Sequence, residues 1–218
     1  MTIQEKNKIQ RYNEYHKHCH ESNKTTPDCV VKPIDYMNRA KELGHTTYFT
    51  TQHGWTGQYL AAYDLCKQND LKMIYGAELY AVKDRFEKDS SNCHIVVVGK
   101  NQDAFYEMNE IMSKSNTEGY YYKPRVDLQL LTSLNPNNFI ITSACVAGIL
   151  RSDETTDIFL EPLLKHFGDN FYFEVQPHNF EVQYQHNLNL LRLQSQYHCK
   201  LIHANDSHYI YPEQAKDR

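Results

Sequence analysis

His94-Ile95-Val96-Val97-Val98 begins with a titratable ring and runs on through four β-branched residues. A run that is apolar at successive positions suits a strand covered on both faces, as in parallel sheets. Before it, Leu71 to Tyr75 reads as a strand broken by Gly76, and Thr46 to Thr51 is entirely β-branched or aromatic. Between those two, Trp55 to Asn69 carries Tyr59, Leu60, Ala62, Tyr63 and Cys66 at helical spacing, and an earlier helix opens at Pro33 and stops at Gly44. After it, the periodicity predicts a helix over 101–115, a short helix capped by Asp127, and further helices over 153–166 and 180–197. Strands are expected at 139–142, 171–176 and 201–204. With Ile9 to Tyr15 as the first, seven strands alternate with helices. No Gly-rich phosphate loop is present, so the pattern implies an α/β chain folded as a (β/α)7 TIM-like barrel. At 218 residues, one domain is expected over residues 1–218.

Composition narrows the function. The net charge is −4 and the pI about 6.3, so there is no global basic field of the kind that dedicated nucleic-acid binders carry. Contact with nucleic acid must be local or metal-mediated. The six cysteines form no C-x-x-C pair, and nothing at the N-terminus resembles a signal peptide, which points to reduced thiols in a cytoplasmic protein. No apolar run approaches the ~20 residues that span a bilayer.

Candidate ligands recur just past one expected strand after another. His16-Lys17-His18 follows the first, and residues two apart on a strand face the same side. His53 follows the second, Glu78 the third, Cys145 the fifth, and Asp206 and His208 the seventh, while Asp28 lies in the loop after the first. In parallel barrels that end gathers the reactive residues around one mouth. His94 is the exception, falling at the start of its strand. Each residue alone has an ordinary explanation as a core His, a capping Asp or a buried thiol. Their common placement argues for a shared site.

The same residues carry a family resemblance. His-x-His after the first strand, His53-Gly54, Gly76-x-Glu78, His94 before an apolar strand, Ser143-x-Cys145-x-Ala147-Gly148 and Asn205-Asp206-x-His208-Tyr209 resemble the polymerase and histidinol phosphatase (PHP) domain. Gly119-Tyr120-Tyr121-Tyr122-Lys123-Pro124-Arg125-Val126-Asp127 is similar to the version found in bacterial and bacteriophage DNA polymerase III alpha subunits, which would place a phage-encoded chain in its host's cytoplasm. The resemblance covers nearly the whole chain. It implies a distorted seven-stranded barrel holding up to three divalent metals through His16, His18, Asp28, His53, Glu78, His94, Cys145, Asp206 and His208. Glu78 would bridge two metals, one shared with His16, His18 and Asp206 and the other with His94 and Cys145; Asp28, His53 and His208 would hold the third. Glu78, Asp206 and His208 would act closest to the reacting phosphate. Gln52 departs from the pattern, standing where an Asp usually precedes His53, and a carboxylate lost there would reorient that ligand. The resemblance also implies that the chain stops short of a polymerase domain, which would sit beside it in cis or in trans.

Mixed imidazole, carboxylate and thiolate donors suit zinc, with manganese or iron as alternatives. Three dications set against Asp28, Glu78, Asp206 and a Cys145 thiolate leave about two positive charges, enough to draw in phosphate. The chemistry expected is phosphoester hydrolysis by water, with no side-chain nucleophile. The first reading is a 3′–5′ proofreading exonuclease, in which Lys123 and Arg125 hold phosphates of a single-stranded DNA end while Tyr120, Tyr121 and Tyr122 stack on its bases. The alternatives are a small-molecule phosphatase, against which the tyrosine-rich loop counts, and a non-catalytic module that braces a polymerase.

Overall fold

A computed structural model describes residues 12–217. In chain order its elements are a 3-10 turn at His20–Lys24, α1 (Pro33–Glu42), β1 (Thr47–Phe49), β2 (Gln52–His53), α2 (Tyr59–Gln68), β3 (Lys72–Ile74), β4 (Gly76–Ala81), β5 (Cys93–Gly99), α3 (Gln102–Thr117), β6 (Arg125–Val126), α4 (Leu128–Leu131), β7 (Phe139–Thr142), α5 (Asp153–Phe167), β8 (Phe171–Val175), α6 (Glu181–Tyr197) and β9 (Lys200–His203), with a last 3-10 turn at Pro212–Asp217. The fold is mixed α/β. Its central sheet runs β2-β4-β5-β7-β8-β9, with β6 pairing on β4, and β1 and β3 form a separate parallel pair.

β5 is buried at every residue but His94, as its apolar run requires. It is nevertheless antiparallel to both neighbours, β4 and β7, whereas the β2–β4, β7–β8 and β8–β9 pairs are parallel. Continuous hydrophobicity reports that both faces are covered; it does not encode direction. The reversal also accounts for His94: the start of β5 lies beside the ends of β4 and β7, with His94 opposite Tyr80. Strand start and strand end therefore meet at one mouth.

Residues directly opposite in a ladder share a face. Ile95 and Val97 join the large core beneath α3, α5 and α6, while Val96 and Val98 face an inner cluster with Tyr15, Ala144 and Ala204. Glu78 pairs with Val96, so its carboxylate points into that interior. Glu78 lies within β4, not beyond a strand that ends at Tyr75. The chain crosses from the β1–β3 pair to the main sheet at Gly76, where a Cβ would stand 2.8 Å from the Val97 carbonyl and 2.9 Å from that of Thr50. His53 likewise falls within a strand, because the expected run 46–51 narrows to β1 and a second short strand, β2, begins just past it.

Of the expected first strand, residues 9–11 lie outside the described residues, and Tyr12 to Tyr15 take no strand form. The segment still links the ends of the strand series. Lys17 bridges Ser207 in parallel just past β9, and the Lys17 N–H donates to Thr51 Oγ1 beside β2. These contacts are compatible with a barrel.

Candidate metal centre

Four imidazoles meet at the mouth. His16 and His18 are fully enclosed and His53 and His208 nearly so. Their rings are fixed from behind. His16 Nδ1 lies 2.7 Å from Glu174 Oε1, His18 Nδ1 3.0 Å from Ser22 Oγ, and His208 Nδ1 2.8 Å from the Asp206 carbonyl. With Nδ1 donating outward in each ring, Nε2 is the nitrogen that faces inward and is left to meet a metal. Those Nε2 atoms, together with His53 Nδ1, both Glu78 oxygens, Asp28 Oδ1 and Asp206 Oδ1, are buried without a hydrogen-bond partner among the described residues.

Glu78 stands at the centre. Its Oε1 is 3.2 Å from His16 Nε2 and 3.0 Å from His94 Nδ1; its Oε2 is 3.4 Å from His18 Nε2 and 2.6 Å from His53 Nδ1. Asp206 Oδ1 lies 3.4 Å from His16 Nε2 and 3.1 Å from His18 Nε2, and Asp28 Oδ2 sits between His53 Nε2 at 3.2 Å and His208 Nε2 at 3.3 Å. Cys145 Sγ is 3.7 Å from His94 Nδ1. Donor atoms of His18, His53 and His208, of His16, His18 and Glu78, and of His53, Glu78 and His94 each gather within 4.8 Å. Buried, unpartnered and convergent lone pairs are costly in a hydrogen-bonded core and are what a divalent cation satisfies. The donor set fits divalent metals.

Two of the loops that aim these groups adopt left-handed backbone, Asp206 at φ 51° and Ala144 at φ 59°, strain of the kind that collects where side chains must be held in place. The turn around Cys145 closes on His94, whose N–H donates to the Ala147 carbonyl while its own carbonyl accepts from Ile149. Gly148 makes this possible, because a Cβ there would meet the Ser143 and Cys145 carbonyls.

Protonation in the cluster is divided. The His18 and His53 rings stack at 3.9 Å and 16°, too close for both to carry charge. Burial and the charge of His53 push His18 down to about 3. For His53, burial is outweighed by the Glu78 and Asp28 carboxylates, which hold it up at about 9. Burial would also lower His16, yet Glu174, Asp206 and Glu78 keep it well above its ordinary value. Glu78 is held well below the carboxylate range: burial opposes ionisation, and His94, His53 and His16 overcome it. Burial raises the Cys145 thiol, and the Asp206 and Glu78 carboxylates raise it further.

All nine expected ligands thus come together, and the aromatic and basic loop divides. Tyr120 and Tyr122 are exposed, Tyr121 packs edge-on to Tyr122 at 4.7 Å, and Lys123 lines the cavity over the cluster with Nζ 4.3 Å above the Tyr80 ring. Arg125 does not belong with them. It is 2% exposed, and its guanidinium donates to the carbonyls of Gly119, Asp89 and Arg85. All of its reach is spent inside the protein, which removes it from the expected DNA contacts.

Sequence reasoning missed Glu174 and Glu14 behind the ligands, and tied Gln52 to His53 instead of His18. Glu174 accepts from Tyr15 Oη, Thr142 Oγ1 and Gln176 Nε2 as well as facing His16. Glu14 accepts from the His16 and Asn205 N–H groups, tying two ligand loops together. Gln52 Oε1 accepts from Cys19 N–H and Ser22 Oγ, so it steadies His18 through Ser22. A glutamate inside an apolar strand, as in Phe171-Tyr172-Phe173-Glu174-Val175, is the signal that could have found Glu174.

A cavity of about 550 Å³ lies over the cluster, lined by Asp28, His53, His94, Cys145, Asp206 and His208 among others. Among the described residues, no helix is long and apolar enough to cross a membrane. The family model for the PHP domain matches residues 16–178. DNA polymerase III subunits alpha are similar over most of the chain. That of Borreliella burgdorferi is 30% identical over 92% of it, that of Treponema pallidum 30% over 91%, and that of Aquifex aeolicus 27% over 85%. The chain spans 17–18% of the length of these relatives. Among solved structures, a protein from Bifidobacterium adolescentis assigned as a metal-dependent phosphoesterase superposes with a TM-score of 0.55, at 13% identity, over 90% of this chain and 87% of the other. An amidohydrolase from Chromobacterium violaceum gives 0.51 at 12% identity, over 89% and 87%. At these identities the two superpositions speak for the fold alone.

Proposed function

The chain belongs to the PHP domain family, and on that premise we propose that it is a metal-dependent phosphodiesterase that shortens single-stranded DNA from a 3′ end, as a proofreading module of a replicative polymerase. The observation that carries this reading is the ring of buried, unpartnered imidazole and carboxylate atoms beneath an open cavity. The similarity to polymerase subunits directs the choice of substrate.

In this reading His16, His18, Asp28, His53, Glu78, His94, Cys145, Asp206 and His208 hold up to three divalent cations, zinc being favoured by the donor set and manganese or iron also accommodated. Bound there, the cations would supply Lewis acidity to a phosphoryl oxygen and lower the pKa of a water molecule. The protein's own groups do the rest. Glu78 spans the cluster, one oxygen facing His16 and His94 and the other His18 and His53, so it fixes the spacing of the ligand sets. Asp206 shares His16 with one side and contacts His208 at 3.6 Å on the other. Asp206, with His208 beside it, is thereby the group best placed to accept a proton at the reacting phosphate. Lys123 adds positive charge on the cavity wall, and Tyr120 to Tyr122 offer rings to bases upstream of the end. The polymerase core, in cis or in trans, is the partner that would deliver the end.

End-labelled oligonucleotides incubated with zinc- or manganese-loaded protein test the reading. Stepwise shortening from the 3′ end is expected. A protein that cleaves only small phosphate esters, or that digests from the 5′ end, overturns it.

A further inference from the structure

A phosphate fills only a fraction of a cavity of about 550 Å³, and the wall between β8 and α6 has no role in holding metals. That wall is anchored to the cluster at two points. Gln176 Nε2 donates to Glu174 Oε1, behind His16, and His178 Nε2 lies 2.9 Å from the carbonyl of Asn205, next to Asp206. His178 and Phe180 set their rings 6.2 Å apart and 17° from parallel, with Phe180 49% exposed. Phe180 is the N-cap of the 17-residue α6 and makes no side-chain hydrogen bond there.

Gln183, in the first turn of α6, lines the same cavity and is fully buried, and its Oε1 has no partner among the described residues. The identity of that orphan is fixed by a relay. The Gln176 backbone carbonyl can only accept, so Asn187 turns Nδ2 to it; Asn187 Oδ1 then faces Gln183, which must answer with Nε2. An acceptor is left over, where the ligand must bring a donor.

We propose that this wall is a nucleoside subsite: the His178–Phe180 pair stacks on the base of the terminal nucleotide, and Gln183 Oε1 accepts a hydrogen bond from an N–H or O–H group of that nucleoside. The proposal rests on the phosphodiesterase reading for the position of the phosphate, and it narrows the substrate to nucleotides. Base stacking on aromatic side chains is sequence-tolerant, which suits an activity that must accept any terminal base.

Calorimetric titration of zinc-loaded protein with thymidine 5′-monophosphate, deoxyribose 5-phosphate and inorganic phosphate reads the subsite without catalysis. The wild type is expected to bind the nucleotide about 10-fold more tightly than the baseless sugar phosphate. Phe180→Ala should erase that preference and leave phosphate affinity unchanged, and Gln183→Met should reduce it several-fold with the fold retained. Equal affinity for nucleotide and sugar phosphate in the wild type, or a preference that survives both substitutions, overturns the subsite. If the preference is present and lost in the variants while labelled DNA stays intact, the exonuclease reading fails and the subsite stands. If DNA is shortened equally well with a normal and an abasic 3′ residue, and Phe180→Ala changes neither, the subsite fails and the exonuclease reading stands.

Discussion

Glu174 Oε1 lies 2.7 Å from His16 Nδ1, with both side chains fully enclosed. A carboxylate accepts only, and this one is met by Tyr15, Thr142, Gln176 and His16. The Nδ1 proton of His16 is therefore held by Glu174, which leaves Nε2, facing Glu78 and Asp206, as the nitrogen that gives up its proton when a metal binds. Glu174→Gln would put an amide N–H₂ among donors. We expect metal affinity, measured by competition with a chelator, to fall ~10- to 100-fold, as for other groups that orient ligands from behind. The far-UV spectrum should be nearly unchanged. Unaltered affinity would show that His16 needs no such support.

Gln52 leads to a different expectation from the one its sequence position suggests. A carboxylate in its place would steady His53 if it touched that ring, but Gln52 Oε1 bonds Cys19 N–H and Ser22 Oγ and serves His18. Gln52→Asp shortens the reach and buries a charge at a site with no exposure. A loss of ~1–3 kcal/mol is expected in urea denaturation of the metal-free protein. A gain in both stability and metal affinity would restore the view that an acid there belongs to His53.

Metal uptake should release protons. In the metal-free protein His53 is held up at about 9 against an ordinary value of 6.5. A raised pKa contributes stability that is complete below 6.5 and lost as the pH climbs through 9. The bound metal requires the neutral ring, so apparent affinity should rise across that same window. Calorimetry of zinc binding in buffers of different ionisation enthalpy counts the protons. Release that shrinks toward pH 9 is expected; affinity flat between pH 6.5 and 9 would mean that His53 stays outside the metal sites.

The site was more legible in the sequence than the strand directions were. His16 and His18 alternate, and the strand period alone puts both on one face. His94 read as misplaced because a continuous apolar run carries no sign of direction, and only the pairing of Tyr80 with His94 shows which end of β5 faces the mouth. Gly76 reads as a strand breaker and so puts Glu78 in a loop, whereas in the fold it permits a close crossing between Val97 and Thr50. Arg125 could not be separated from Lys123 by type or spacing. Burial decides it, and burial of this cation depends on carbonyls that include those of Arg85 and Asp89, far from it in sequence.

That separation supplies the last prediction. Lys123 reaches the cavity and has no carboxylate within ion-pair distance among the described residues, while Arg125 is committed to Gly119, Asp89 and Arg85. Lys123→Ala should leave the melting temperature nearly unchanged and raise KM for single-stranded DNA. It should also flatten the dependence of log K on log salt by ~0.7, the value for one lost contact to a single strand. Arg125→Ala should behave differently: three carbonyls lose their donor in a buried setting, at a cost of ~3 kcal/mol or more, and activity on DNA and on p-nitrophenyl phosphate should fall together with the folded fraction. Folded Arg125→Ala protein with a selective defect on DNA would return the arginine to the binding surface. A salt slope that Lys123→Ala leaves untouched would mean that the cavity wall meets its substrate without this charge.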